Sequence, residues 1–196
     1  MEKKKDLRVQ KTHEAIRSAF KAMICEMDAN KITVMELSNR AKVHRQTFYL
    51  HYPSLDALYD EVLQEALAKF ANVGGPMEPP FDLREFHRRF FLQCSHLEKH
   101  EERLICNPSY SQYCDRLFSA GVLQSQSRYD PYSQWPEEVR DMIRSFLIVN
   151  LLSFYRQWVA SGKKMSIDDL SVLTSKLMFE GLNAYIDRTP PSRQPG

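Results

Sequence analysis

Residues Lys31 to Leu58 read KITVMELSNRAKVHRQTFYLHYPSLDAL, and the punctuation of that stretch predicts two short helices joined by a tight corner. Thr33 followed three residues later by Glu36 is a capping box, in which the hydroxyl accepts from the Glu36 amide and the carboxylate covers the free amide of Thr33. The first helix therefore starts near Val34. Val34, Leu37 and Ala41 stand three and four residues apart on one face, and the small Ala41 lets a second helix pass close by. The corner falls at Lys42 to His44. From Arg45 to Tyr52, Phe48 and Tyr52 are spaced i, i+4 and face inward, which leaves Arg45, Gln46, Thr47 and Tyr49 on the other sides. Pro53 blocks continuation, and Ser54 can cap a further helix from Leu55.

The outward residues are unusual for a merely solvated helix. Gln can make paired bonds to adenine and Arg to guanine, the Thr methyl can touch thymine, and Tyr49 and His51 suit phosphate oxygens. With Thr33, Lys42 and His44 at the entrance and corner, these form the candidate set for contact with double-stranded DNA.

A supporting helix is expected ahead of the pair, from Leu7 to Met27, with Ile16, Phe20, Met23, Ile24 and Met27 as its apolar stripe. Its other side is basic: Lys3, Lys4, Lys5, Arg8 and Lys11 could approach a duplex backbone. The chain carries only +2 overall, but residues 1–52 hold 11 Lys and Arg against 6 Asp and Glu, a net +5, and residues 53–196 hold 16 against 19, a net −3. Net charge alone hides this asymmetry, which fits a polyanionic partner at one end.

On these residues, the segment from about Leu7 to Lys69 resembles the DNA-binding domain of TetR/AcrR transcriptional regulators, whose third helix ends in a TFY-x-H-F/Y-x-S/N-K signature. Here it stands as Thr47, Phe48, Tyr49, Leu50, His51, Tyr52, Pro53, Ser54 and Leu55. The resemblance implies an all-α fold, an N-terminal three-helix DNA-binding domain over 7–69 and a C-terminal helical domain for dimerisation and effector binding over 76–188, with 189–196 as a tail. Two residues depart from the pattern. Lys42 replaces the usual corner Gly and must accept a positive φ or take another geometry, and Leu55 replaces a Lys that meets phosphate.

The 196 residues, 43% of them apolar, suffice for a real core. The charged N-terminus does not resemble a signal peptide, and the apolar run Phe146 to Leu152 is too short to span a bilayer, so a cytoplasmic protein with no membrane partner is expected. Cys25, Cys94, Cys106 and Cys114 lack a C-x-x-C pair and are expected as reduced thiols.

The remainder reads as helical, without alternating strand patterns. Leu55 to Val73 continues from the recognition helix, with Leu58, Val62, Leu63, Leu67 and Phe70 for packing, and Gly74 to Pro80 must break it. Asp82 with Glu85 caps a helix running to Asn107 with room for one break, and Ser109 caps another to about Ser127. Tyr129 to Pro136 is an aromatic loop, and Pro136 opens a helix to Ser161. Gly162 ends that helix, and Ser166 caps the last one, striped by Leu170, Leu173, Leu177, Met178 and Leu182. Ile143, Leu147, Leu151, Phe154 and Trp158 form one row on the long helix, and Ile148, Leu152, Tyr155 and Val159 a second. Two helices with that much apolar surface suggest a four-helix homodimer interface, with Ile143, Leu147, Leu151, Phe154, Trp158, Leu173 and Leu177 at the contact; the alternative is that these rows are internal core. One helix-turn-helix makes few contacts, whereas two can read half-sites about 34 Å, or a multiple of it, apart.

Phe146 to Leu182 also resembles the C-terminal domain of the TetR-like subgroup related to the dihydroxyacetone kinase regulator, through the W-x-x-x-G pattern of Trp158 and Gly162. In TetR-like proteins a small molecule commonly sits between the linker helix and the dimer helices. That resemblance makes Phe86, His87, Phe90, Phe91, Cys94, Tyr110, Tyr113, Phe118, Phe154 and Tyr155 candidate effector walls, although aromatic stripes at helical spacing are more often plain core. Some relatives take a protein effector instead, which the Tyr129 to Trp135 loop also fits.

An enzyme is disfavoured, because no phosphate loop, G-x-S-x-G or H-E-x-x-H is present. His96 and His100 beside Glu101 could hold a metal at i, i+4, but an exposed polar face is the ordinary reading. No cofactor and no metal site are expected. The alternative from another class is an adaptor regulated by a protein partner, with weak or no DNA binding, which Lys42 and Leu55 would favour.

Overall fold

The computed structural model describes residues 2–69, 82–114 and 133–186, with side chains from 7 to 180. Among the described residues the regular elements are all helical. They are α1 (Glu2–Glu26), α2 (Val34–Ala41), α3 (Arg45–His51), α4 (Leu55–Ala68), α5 (Leu83–Ser95), α6 (Lys99–Cys106), α7 (Glu137–Ala160) and α8 (Ile167–Ile186), with 3-10 turns at Ala29–Lys31 and Pro108–Tyr110. Two compact units result, one from Met1–Ala71 with His96–Ser125 and one from Asn72–Ser95 with Gln126–Gly196. Where the sequence reading divides the chain end to end, packing places α6 and the turn after it with the N-terminal helices. The expected Gly74 to Pro80 breaker, Phe70, Phe118, the helix expected beyond 114, most of the expected Tyr129 loop, the Leu182 side chain and the expected 189–196 tail lie outside the described residues.

The first unit is built on α1, whose Ile16, Phe20, Met23 and Ile24 are fully buried against Leu37 of α2, Phe48 of α3, and Leu58, Tyr59, Val62 and Leu63 of α4 in one core. Removing a buried aromatic such as Phe20 would cost roughly 3 to 5 kcal/mol. Of the box expected at Thr33 one half forms: Thr33 Oγ1 accepts from the Glu36 amide at 3.2 Å, while the Glu36 carboxylate accepts from Arg40 Nε at 3.1 Å; Ser54 Oγ caps α4 by accepting from Ala57 at 3.2 Å. At the corner Lys42 adopts φ 54°, ψ 43°, the left-handed option of the two open to it. The Lys42 amide donates to Asn39 O and the Val43 amide to Ser38 O at 3.0 Å, the paired bonds that close a helix when the residue after it is left-handed.

α6 is fastened to α1 and the first turn by specific bonds. Asp28 accepts from Arg103 at 3.2 Å and Asn107 at 3.3 Å, and Tyr110 donates to Met27 O at 2.6 Å. Ser109 does not cap the following segment. Its hydroxyl instead accepts from Ala29 N, while Asn107 caps the turn by accepting from Ser109 N. Glu101, almost wholly buried, accepts from Lys69 Nζ at 2.7 Å and from the Glu98 amide at 2.9 Å. A buried carboxylate without such partners is strongly destabilising. α5 stops at Ser95 and α6 begins at Lys99, so His96 and His100 do not share a helical face: His96 is exposed and His100 buried.

In the second unit α5 lies closely along α8, because α8 turns small residues toward it. Ser171, Thr174 and Ser175 are buried with their hydroxyls donated to carbonyls of their own helix, which removes the cost of enclosing them. The expected α8 stripe is thereby split: Leu170 and Met178 face inward, while Leu173 and Leu177 face solvent. α7 ends as its sequence demands, with Gly162 at φ 76° and the Lys163 amide donating to Trp158 O at 2.9 Å. Trp158 Nε1 donates to Met165 O at 2.8 Å and the Lys163 ammonium sits over its ring. The W-x-x-x-G spacing is thus a helix terminus with its own lock.

His87 Nδ1 meets Thr174 Oγ1 at 2.9 Å. The Thr174 proton goes to Leu170 O at 2.8 Å, so Nδ1–H must be the donor and Nε2 carries the lone pair, buried without a partner. Burial pushes the pKa of this imidazole down to about 4.

Two measurements test this fold. Lys42→Gly is expected to raise stability by up to about 1 kcal/mol by relieving left-handed strain, with Lys42→Ala giving no such gain; equal melting temperatures for both would contradict the corner. His87 binds its proton more weakly folded than unfolded, where its pKa is about 6.5. Stability should hold above pH 7 and fall as pH drops from about 6.5 to 4, by about 3 kcal/mol in total. Denaturant unfolding of His87→Gln should show that part of the slope gone; an unchanged slope would contradict a buried neutral ring.

Candidate nucleic-acid interface

α3 is seven residues long, too short to hold itself in water, so its placement depends on what it buries. Phe48 and Tyr52 supply both anchors. The Tyr52 hydroxyl donates to Glu61 Oε1 at 3.1 Å and meets His13 Nε2 at 2.7 Å, while its ring stacks on His13 with centroids 5.3 Å apart. Since the phenol proton goes to the carboxylate, His13 Nε2–H is the donor. Glu61 also accepts from Arg17 at 2.8 Å, and Arg17 continues to Glu65, which meets Lys21 at 3.6 Å. One polar chain therefore ties α1, the end of α3 and α4 together.

That network sets the local titration. The bond from Glu65, followed by burial acting the other way, leaves the Arg17 guanidinium above its ordinary range. Burial pulls the Glu65 carboxyl up, but Arg17 outweighs it and the net shift is down. Burial foremost, then the Glu61 charge, drives the Tyr52 phenol well up, so it stays a protonated donor.

Outward of these anchors lie the residues expected to meet DNA. Lys42, His44, Arg45, Gln46 and Tyr49 are exposed, as is Thr33, while Thr47 and His51 are half-buried. Tyr49 stands edge-on to Phe48 with centroids 5.3 Å apart, which steadies a ring that is itself about half exposed. Burial, then neighbouring His13, lowers the His51 pKa. Arg8 and Lys11 are exposed on α1; the side chains of Lys3, Lys4 and Lys5 lie outside the described residues. Leu55, where a phosphate-binding Lys was expected by resemblance, is half-buried at the start of α4. Sequence reasoning passed over Leu50, which is strongly exposed one turn beyond Gln46. The same i, i+4 spacing that identified Phe48 and Tyr52 could have marked it.

The other predicted sets are divided between the two units and between buried and exposed positions. Of the effector candidates, Phe86, His87, Phe90, Phe91, Cys94, Phe154 and Tyr155 belong to the second unit, and all but half-buried Phe86 and Phe154 are buried. Phe91 and Tyr155 each lie 6.3 Å from Trp158 between ring centroids. Tyr110 and Tyr113 are instead core of the first unit, where Tyr113 stacks on Tyr59 at 3.9 Å. Of the dimer candidates, Ile143, Leu151 and Trp158 are buried by their own chain, Leu147 and Phe154 are half-buried, and Leu173 and Leu177 are exposed. The apolar surface left on α7 lies on another face, at Met142, Phe146 and Val149.

No family model matches the chain. Over 101 residues it is 30% identical to the uncharacterised HTH-type transcriptional regulator YxbF of Bacillus subtilis, a match covering 49% of this chain and 26% of that protein, so the chain spans about a quarter of its curated relative. Solved structures match over nearly the whole length. A TetR transcriptional regulator from Streptococcus agalactiae superposes with TM-score 0.66 at 24% identity, covering 91% of this chain and 99% of that one. NalD, the secondary repressor of the MexAB-OprM multidrug efflux pump in Pseudomonas aeruginosa, does so with TM-score 0.61 at 16% identity, covering 88% and 95%. These likenesses establish the architecture: the chain has the all-helical fold of TetR regulators, with an N-terminal helix-turn-helix and a C-terminal helical domain.

Proposed function

We propose that the chain is a TetR-like transcriptional regulator that binds a palindromic operator as a homodimer, with α3 in the major groove. The observation that carries this reading is a recognition helix whose Phe48 and Tyr52 are buried while Arg45, Gln46 and Tyr49 stand exposed beside a basic N-terminal helix. The left-handed Lys42 also supports it, since this departure from the expected corner residue preserves the helix-turn-helix geometry and so no longer favours a non-binding adaptor. In this reading Arg45 and Gln46 read base edges, Tyr49 and His51 meet phosphate, and Thr33, Lys42, His44 and Thr47 border the contact.

The partner-facing surface is the apolar remainder of the second unit: Met142 (73% exposed), Phe146 and Val149 (60%) at spacings of four and three on α7, with Leu173 and Leu177 (56%) on α8. Side chains of this size, left in water on two helices of one unit, suit burial against a second copy. The buried aromatic group of α5 and α7, Phe90, Phe91 and Tyr155 with His87, is the proposed region of small-molecule control. An effector preferring the non-binding conformation would weaken DNA affinity by no more than its differential affinity for the two states. Membership of the subgroup related to the dihydroxyacetone kinase regulator rests on the Trp158–Gly162 terminus.

Selection from random duplexes, followed by titration against salt, tests the reading. A palindromic consensus and a steep fall of affinity with salt are expected; no sequence preference and a flat salt response would favour the adaptor. Arg45→Ala or Gln46→Ala should relax preference by about 1 to 3 kcal/mol per lost paired contact, whereas Tyr49→Phe should weaken all sequences alike. Val149→Asp with Leu177→Asp should give a monomer of unchanged helicity in light scattering; a persisting dimer would move the interface elsewhere.

A further inference from the structure

Leu50 is the most exposed large apolar side chain among the described residues, at 84%. A lone exposed leucine ordinarily signifies nothing; the position of this one does. It stands at i+4 from Gln46 on a seven-residue helix, on the face that carries the proposed base contact, with exposed Tyr49 beside it. No described residue covers it, so packing among the described residues gives no reason for leucine there. Thr47, the residue expected to supply an apolar contact, is half-buried and less available.

Resting on the proposed DNA binding, we infer that Leu50 is a specificity-determining residue that docks on the C5-methyl of a thymine in each half-site. In the major groove the base edges offer hydrogen-bonding groups and a single apolar feature, the thymine methyl. A polar or charged side chain at this position would read some other base edge or a phosphate; leucine can lower its free energy only against carbon. Four helical residues rise about 6 Å, so the thymine lies within about two base-pair steps of about 3.4 Å from the base met by Gln46. Gln46 and Leu50 would together read one short stretch, Gln46 through bonds and Leu50 through shape and desolvation.

Replacing thymine by deoxyuridine removes that methyl and leaves base pairing intact, which makes the test specific. A duplex carrying the selected consensus is synthesised with deoxyuridine at one thymine position of each half-site at a time, and wild type and Leu50→Ala are titrated with each. At one position the swap should weaken wild type by about fourfold per methyl and leave Leu50→Ala unaffected, while Leu50→Ala binds the thymine duplex more weakly than wild type. Leu50→Ala should melt like wild type, because the side chain is exposed. Equal sensitivity of both proteins at every thymine, or no sensitivity in wild type, would overturn the inference and leave the regulator reading standing, as a sugar contact blind to the methyl would produce. If selection yields no consensus at all, the regulator reading fails and the inference falls with it.

Discussion

The joint at Tyr52 is what the proposed interface depends on. Its ring packs against Phe48 and His13, and its hydroxyl links His13 of α1 to Glu61 of α4. A helix as short as α3 has no orientation of its own, so fixing Tyr52, the residue that closes it, to two longer helices holds a marginal segment in place. The corner at Lys42 performs the same service at the other end. Between these two fixed points the side chains at 45, 46, 49 and 50 have little freedom to leave the outer face.

The polar chain beyond Tyr52 also decides where charge is spent. Arg17 is engaged by Glu61 and Glu65 inside the unit, and Arg40 by Glu26 and Glu36. Arg8, Lys11, Lys42 and Arg45 remain on the exposed surface. The excess positive charge of residues 1–52 is therefore partly structural, and the share that can meet a polyanion is smaller than the count in the sequence implies. α6 is secured to this unit through Asp28, Ser109 and Tyr110, so the unit that carries α3 extends well past α4 in sequence.

The head was largely legible in sequence because its signals are local. Thr33, Ser54, Pro53 and the i, i+4 pair Phe48 and Tyr52 each act within one helical turn, and the α2 and α3 boundaries follow from them. The attachment of α6 to α1 was not legible, because Ser109 bonding to Ala29 joins groups 80 residues apart and nothing in either neighbourhood announces it. The C-terminal helices were half legible. Their existence followed from periodicity and from Gly162, but α7 is apolar on more than one face, so hydropathy could not say which face its own chain would cover. It covered Ile143, Leu151 and Trp158 and left Met142 and Val149. On α8 the buried face adds Ser171, Thr174 and Ser175 to Leu170 and Met178; their hydroxyls are satisfied within the helix, a solution that a count of leucines cannot reveal.

The most direct measurement is the structure of the chain bound to a duplex selected by it. In that complex α3 should lie in the major groove with Gln46 and Leu50 at base edges and Tyr52 still joined to His13 and Glu61, and a second copy's α3 should lie about 34 Å away or a multiple of that. A complex in which α3 stands clear of the groove, with DNA held elsewhere or by other residues, would contradict it.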